Sequence, residues 1–204
     1  MKLSVTTGNT RYNPTMLSPR ERNLLLGANL WYFGEGMLGP LFAVFAQKVG
    51  GNVLDITWAW AVFLVVTGVS IIFVGKYSDV VAKRRKHGRE KILITGCALN
   101  ALFTFGYLFV SGPVGLFLVQ AGLGFALALS SPTWLALYGD ADSKLKSGFR
   151  WALTSGTEKF ITAAAILLGG YIVTTYSFEA LFILMGCIQV LATIYQARIL
   201  WAPR

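Results

Sequence analysis

The chain has 204 residues, 55% of them hydrophobic and 13% charged, with a mean hydropathy of +0.60. Eighteen basic residues against nine acidic ones leave a net charge of +9. So few charges on so apolar a chain exclude an ordinary water-soluble domain, and the basic excess needs no nucleic acid, because membrane topology and anionic lipid head groups account for it.

Residues 1–18 are polar and lack the apolar core of a cleavable signal, so they read as a cytoplasmic tail. Ser18-Pro19 then signals a helix start. Six apolar runs follow: Asn23–Gln47, Ile56–Val74, Ile92–Val110, Val114–Tyr138, Trp151–Tyr176 and Ala180–Ala197. Each is near the ~20 residues a helix needs to cross a bilayer core. The spans are expected at about 22–47, 54–75, 91–110, 114–138, 150–175 and 178–199, within one bundle over 19–200, and 201–204 is a cytoplasmic end.

The connections alternate in charge. Lys2, Arg11, Arg20 and Arg22 precede the first run, and Lys48 alone follows it at Gly50-Gly51-Asn52. The second gap carries Lys76, Lys83, Arg84, Arg85, Lys86, Arg89 and Lys91, whereas Ser111-Gly112-Pro113 carries no base. Lys144, Lys146 and Arg150 mark the fourth gap, Ser177–Glu179 has no base, and Arg198 and Arg204 close the chain. Since basic loops stay inside, both termini are expected in the cytoplasm, with the protein multi-pass in the cell (inner) membrane. Gly39-Pro40 in the first run and Ser131-Pro132 in the fourth interrupt corresponding helices, as a 3+3 inverted repeat would. The expected fold is thus an all-α membrane protein, a six-helix bundle of two inverted three-helix repeats.

Charges inside hydrocarbon are costly, so Glu35, Glu158 and Lys159 stand out. Glu35 lies near the centre of the first run beside Trp31, Tyr32 and Gly39, and reads as a cavity-facing carboxylate, with hydrogen bonding to a neighbouring helix as the alternative. Glu158 and Lys159 read equally as a self-neutralising pair or as substrate contacts. Gln120, Gly124, Leu127 and Ser131 share a stripe of the fourth run, with Trp134 beside Ser130. The third and sixth runs carry only scattered Thr95, Asn100, Thr104, Gln189 and Thr193. The first, fourth and fifth helices are therefore expected to line a cavity, and the third and sixth to face lipid. Cavity candidates are Trp31, Tyr32, Glu35, Gln120, Trp134, Glu158 and Lys159. Cys97 and Cys187 read as small packing residues, without disulfide or metal. His87, the single histidine, lies in a basic loop, which excludes a Ser-His or His-metal site in the membrane. Neither enzyme chemistry nor a metal or cofactor is expected.

Gly75-Lys76-Tyr77-Ser78-Asp79, followed by Gly88-Arg89-Glu90-Lys91, resembles the cytoplasmic signature of the major facilitator superfamily. In that resemblance Gly75 lets helices close tightly, Asp79 caps a facing helix, and an arginine reaches Asp140 or Asp142 after the fourth span. Gly75, Ser78, Asp79, Gly88, Arg89 and Asp140 form the implied gating set. Ser147-Gly148-Phe149-Arg150-Trp151 is similar to the family's entry to the fifth helix. Three features depart from the pattern. The long insertion leaves Lys83, Arg84, Arg85 and Arg89 all open for the family arginine; Gln120 stands where an arginine is frequent; and Ala163-Ala164-Ala165 replaces the Gly-Pro element of drug antiporters. The six runs match one half of a family member, the N-terminal one. The resemblance implies a secondary active transporter, or half of one, moving a small solute by alternating access, coupled to protons or another ion. It also implies a homodimer or a separate second half, meeting the chain at the second and fifth spans. Alternatives are a transport-inactive accessory or assembly protein and a fragment of a twelve-span transporter, since Trp201–Arg204 falls where a central loop would begin. A mitochondrial-type carrier is excluded, because its Pro-x-[Asp/Glu]-x-x-[Lys/Arg] element does not occur.

Overall fold

Capping chemistry sets several of the helix starts. The Ser18 hydroxyl accepts from Glu21 N at 3.2 Å while the Glu21 carboxylate accepts from Ser18 N at 3.0 Å, with Pro19 at the first helical position. Asn52 and Asp55 repeat this box at 3.0 and 2.9 Å, and Pro113 opens a later helix behind Gly112. The computed structural model describes residues 17–141, 143 and 145–201. Residues 1–16 of the expected tail over 1–18, Asp142, Lys144 and residues 202–204 of the expected end over 201–204 lie outside the described residues.

The described residues form seven α-helices: α1 (Pro19–Gly36), α2 (Leu41–Lys48), α3 (Val53–Arg84), α4 (Gly88–Gly106), α5 (Pro113–Gly139), α6 (Ser147–Thr175) and α7 (Phe178–Ala197). Single 3-10 turns extend α4 over Tyr107–Phe109 and α7 over Arg198–Leu200. Five stretches are long and apolar enough to cross a bilayer: Val53–Arg84, Gly88–Phe109, Pro113–Gly139, Ser147–Thr175 and Phe178–Leu200. The chain is therefore a multi-pass, all-helical membrane protein.

The expected first span over 22–47 is not one helix. It divides into α1 and α2 at residues 37–40, where Pro40 supplies no N–H and its ring disfavours a regular turn. Met37 and Pro40 keep right-handed helical dihedrals, with φ of −60° and −64°, so the break is a kink. Pro132 leaves α5 continuous. Hydroxyls on both sides of it donate one turn back, Ser130 to Ala126 O at 3.1 Å and Thr133 to Leu129 O at 2.6 Å.

In the bundle α5 packs on α3 and α4, α7 on α1 and α4, and α6 on α1. Small residues set the crossings. A Cβ on Gly169 of α6 would collide with the Met37 carbonyl, and one on Gly124 of α5 would lie 2.6 Å from Phe63 O of α3. An apolar core with Phe45, Tyr107, Leu116 and Phe182 fills one end, and a smaller cluster of Leu24, Leu93, Leu137, Tyr138 and Ile199 fills the other.

The third and sixth spans, expected to face lipid, keep exposed apolar residues such as Leu102 and Leu191 but also carry inward polar stripes. Asn100 and Thr104 of α4 and Gln189 of α7 are buried at 2%, 1% and 0% exposure, whereas Phe73 of α3 and Phe160 of α6 are 68% and 80% exposed. The polar residues of α4 and α7 recur at helical spacing, four apart for Asn100 and Thr104 and seven apart for Gln189 and Gln196, so each pair lies on one inward stripe.

Candidate functional site

Three polar layers follow one another along the bundle. At the basic end, Arg89 in the first turn of α4 reaches two acids on other helices. Its Nη2 donates to Asp79 Oδ1 near the end of α3 and its Nη1 to Asp140 Oδ2 just after α5, both at 2.7 Å. Among the described residues, Arg89 is the base that forms this bridge, which Lys83, Arg84 and Arg85 do not. His87 makes the placement possible. Its left-handed φ of 64° reverses the chain between α3 and α4, and Gly88 then sits so close to Val81 O that a Cβ would lie 2.8 Å from it. Ser78 is buried on the same turn of α3 as Asp79. Two expectations are corrected here. A Cβ on Gly75 would meet no atom within 4 Å, so among the described residues this glycine brings no two helices of the chain together; and Asp79 engages α4 through the Arg89 guanidinium, leaving the α4 N-terminus without a side-chain cap.

Beside this bridge lies an ion pair that the sequence pattern did not suggest. Glu21, fully buried in the first turn of α1, lies 2.8 Å from Arg150 Nε in the first turn of α6. The Arg150 guanidinium also covers the Tyr138 ring at 4.4 Å. Arg20 donates to Glu90 at 2.9 Å, tying α1 to α4. The signal for Glu21 was the Ser18-Pro19-Arg20-Glu21 capping box, which fixes where its side chain points.

Next comes a cavity of about 230 Å³, bordered chiefly by α1, α5 and α6. Of the residues singled out in the sequence, Trp31, Tyr32, Trp134 and Glu158 line it, together with Trp151 and Thr154. Helical spacing aligns the α6 wall, since Trp151, Thr154 and Glu158 are three and four residues apart. Trp134 is locked by stacking on Tyr138 at 4.8 Å and by donating its Nε1 to Leu24 O at 3.1 Å. Trp31 meets Tyr32 edge-on at 5.1 Å, and its Nε1 is buried with no acceptor among the described residues. Glu158 Oε1 accepts from Lys159 Nζ at 2.6 Å, and Lys159 is 76% exposed, reaching the cavity only through that bond. Gln120 is a correction: it is 3% exposed within α5 and does not border the cavity.

The third layer centres on Glu35, roughly 10 Å beyond Ala28 along α1 at 1.5 Å per residue. It too does not line the cavity. Its Oε1 accepts from Asn100 Nδ2 at 2.7 Å and from Gln189 Nε2 at 3.1 Å, and Gln189 Nε2 also donates to Trp31 O at 3.1 Å. Glu35 is thus the junction of α1, α4 and α7, and its two partners lie on the spans expected to face lipid.

The sequence profile that describes the Major Facilitator Superfamily matches residues 24–204. The chain is 24% identical over 161 residues to an uncharacterized MFS-type transporter of Methanocaldococcus jannaschii, covering 79% of this chain and 40% of the relative. It is 24% identical over 165 residues to the multidrug resistance protein MdtG of Escherichia fergusonii, covering 79% and 39%. The corresponding protein of Escherichia coli is 23% identical over 164 residues, covering 78% and 39%. The chain spans about 40% of the length of these relatives.

Proposed function

The chain belongs to the major facilitator superfamily, and from that premise we propose that it is a six-span unit of a secondary active transporter, moving a small solute across the cell (inner) membrane by alternating access. The observation that carries this is the Arg89 bridge. Its two acids are 67% and 70% exposed, and exposed ion pairs contribute about 0.2–1 kcal/mol each. Such a latch ties α3, α4 and α5 at one end, yet opens at little cost in every cycle. The kinked α1–α2 pair counts as the first span. Packing supports the inverted repeat: exchanging α1 with α5, α3 with α6 and α4 with α7 maps the packing among these six helices onto itself. The distribution of bases supports a cytoplasmic location for the Arg89 end and for both termini.

Glu35 is the proposed coupling carboxylate, a role that its neutral amide partners favour because they leave its charge uncompensated. The exposed apolar faces of α3 and α6 are the proposed seam to a second copy or a separate half, which closes the path. Asp79→Asn and Arg89→Gln test the latch: solute flux should fall severalfold at unchanged abundance in membranes, more with Arg89→Gln, which removes both pairs. Normal flux would remove the latch from the mechanism. Glu35→Gln should abolish dependence on the ion gradient, and a retained dependence would return Glu35 to a purely structural role.

A further inference from the structure

We propose that the cavity between α1, α5 and α6 takes a small organic cation, an ammonium on a compact apolar body, with Lys159 as the built-in cation it displaces from Glu158. The inference rests on the transport reading for its biological sense, but its chemistry is read from the cavity itself. Among the described residues Glu158 is the one charged group in the lining, so the site presents a single negative charge. Trp31, Tyr32, Trp134 and Trp151 supply four aromatic walls around it. Indole and phenol faces attract a desolvated cation, and a methylated ammonium, being weakly hydrated, gains most from that exchange.

Two cations already stand near these groups. Lys159 sits on Glu158 at 2.6 Å, held from outside, since its side chain is 76% exposed. Arg150 lies over Tyr138, the ring stacked on the back of Trp134, and is committed to Glu21. Neither base lines the cavity, so an anion would meet a carboxylate without a facing counter-charge. Among the described residues Lys159 makes no other ion pair, so the Glu158 bond is what it gives up, and its long stem can carry the ammonium toward the basic end of α6.

The test uses the full chain in lipid nanodiscs and three probes of one shape: choline, its uncharged carbon isostere 3,3-dimethylbutanol, and the anionic 3,3-dimethylbutyrate. Binding is read by calorimetry and by quenching of tryptophan fluorescence. Choline should bind at least tenfold more tightly than the alcohol, and the acid should bind weakest. Glu158→Gln should remove the preference for choline, and Lys159→Gln should tighten choline severalfold by removing its internal competitor. Equal or tighter binding of the alcohol or the acid to the unaltered chain would overturn the cation assignment while leaving a working ligand site. Weaker choline binding by Lys159→Gln overturns the displacement step. Failure of all three probes to bind overturns the assignment as well. The transport reading is judged separately, by the flux of the Asp79 and Arg89 variants.

Discussion

Arg150→Met should be among the most destabilising single changes in this protein. Glu21 has no exposed side-chain surface, and the arginine removed is the base 2.8 Å from its carboxylate. What remains is the Ser18 N–H at 3.0 Å, one neutral donor for a buried charge. Stranding a buried ion costs about 3–5 kcal/mol, and for a chain of this size about 1 kcal/mol corresponds to 2–4 °C in Tm. A fall of roughly 6–20 °C is therefore expected. Glu21→Gln should cost less, because glutamine keeps the capping box and Arg150 keeps its contact with the Tyr138 ring at 4.4 Å. The double variant should recover most of the loss, since removing both partners of a buried pair is often near neutral. Thermal unfolding in detergent, followed by tryptophan fluorescence, gives all three values, and Trp134 and Trp151 against Tyr138 report on this end. If Arg150→Met costs under about 1 kcal/mol, or the two single effects simply add, Glu21 is not left stranded and the pair carries no such energy.

Gly169→Ala should destabilise by about 1–3 kcal/mol through its collision with the Met37 carbonyl, whereas Gly170→Ala, with open space around it, should be neutral or up to ~1 kcal/mol stabilising. Equal melting temperatures for the two would show that α1 and α6 do not cross at this point. Gly75→Ala should likewise fold normally, and a loss of folded protein would restore a close helix contact at that position. Gln189→Leu should cost about 1.5–3 kcal/mol by removing a hydrogen bond to the Glu35 carboxylate, measured by the same melts; an unchanged midpoint would mean that Asn100 alone satisfies Glu35.

Apolar runs and turn residues are enough to place helices because bilayer thickness imposes both length and polarity on a span. They are insufficient at Pro40, where sequence signals a break without saying whether the helix ends or bends. Rotation about each helix axis is the harder quantity. Trp31, Tyr32, Trp134 and Glu158 can be placed on the cavity by depth and spacing, but Gln120 lies on the buried side of the same α5 that carries Trp134. Asn100 and Gln189 look incidental when each polar residue is weighed singly, whereas their spacing to Thr104 and Gln196 defines inward stripes. The choice of Arg89 among four bases depends on the left-handed turn at His87, which no residue pattern in the loop announces. Gly75 misleads for the opposite reason: a small residue permits a close contact but does not create one.

Solute flux through vesicles reconstituted with this chain is the most direct test of the transport reading. Flux of at least one solute from a panel of choline, small anions and neutral sugars should exceed that of protein-free vesicles and fall severalfold with Arg89→Gln, whose latch to Asp79 and Asp140 would be gone. No flux of any of these solutes above protein-free vesicles, or flux indifferent to Arg89→Gln, would contradict it, whereas a failure confined to choline would count against the cation assignment alone.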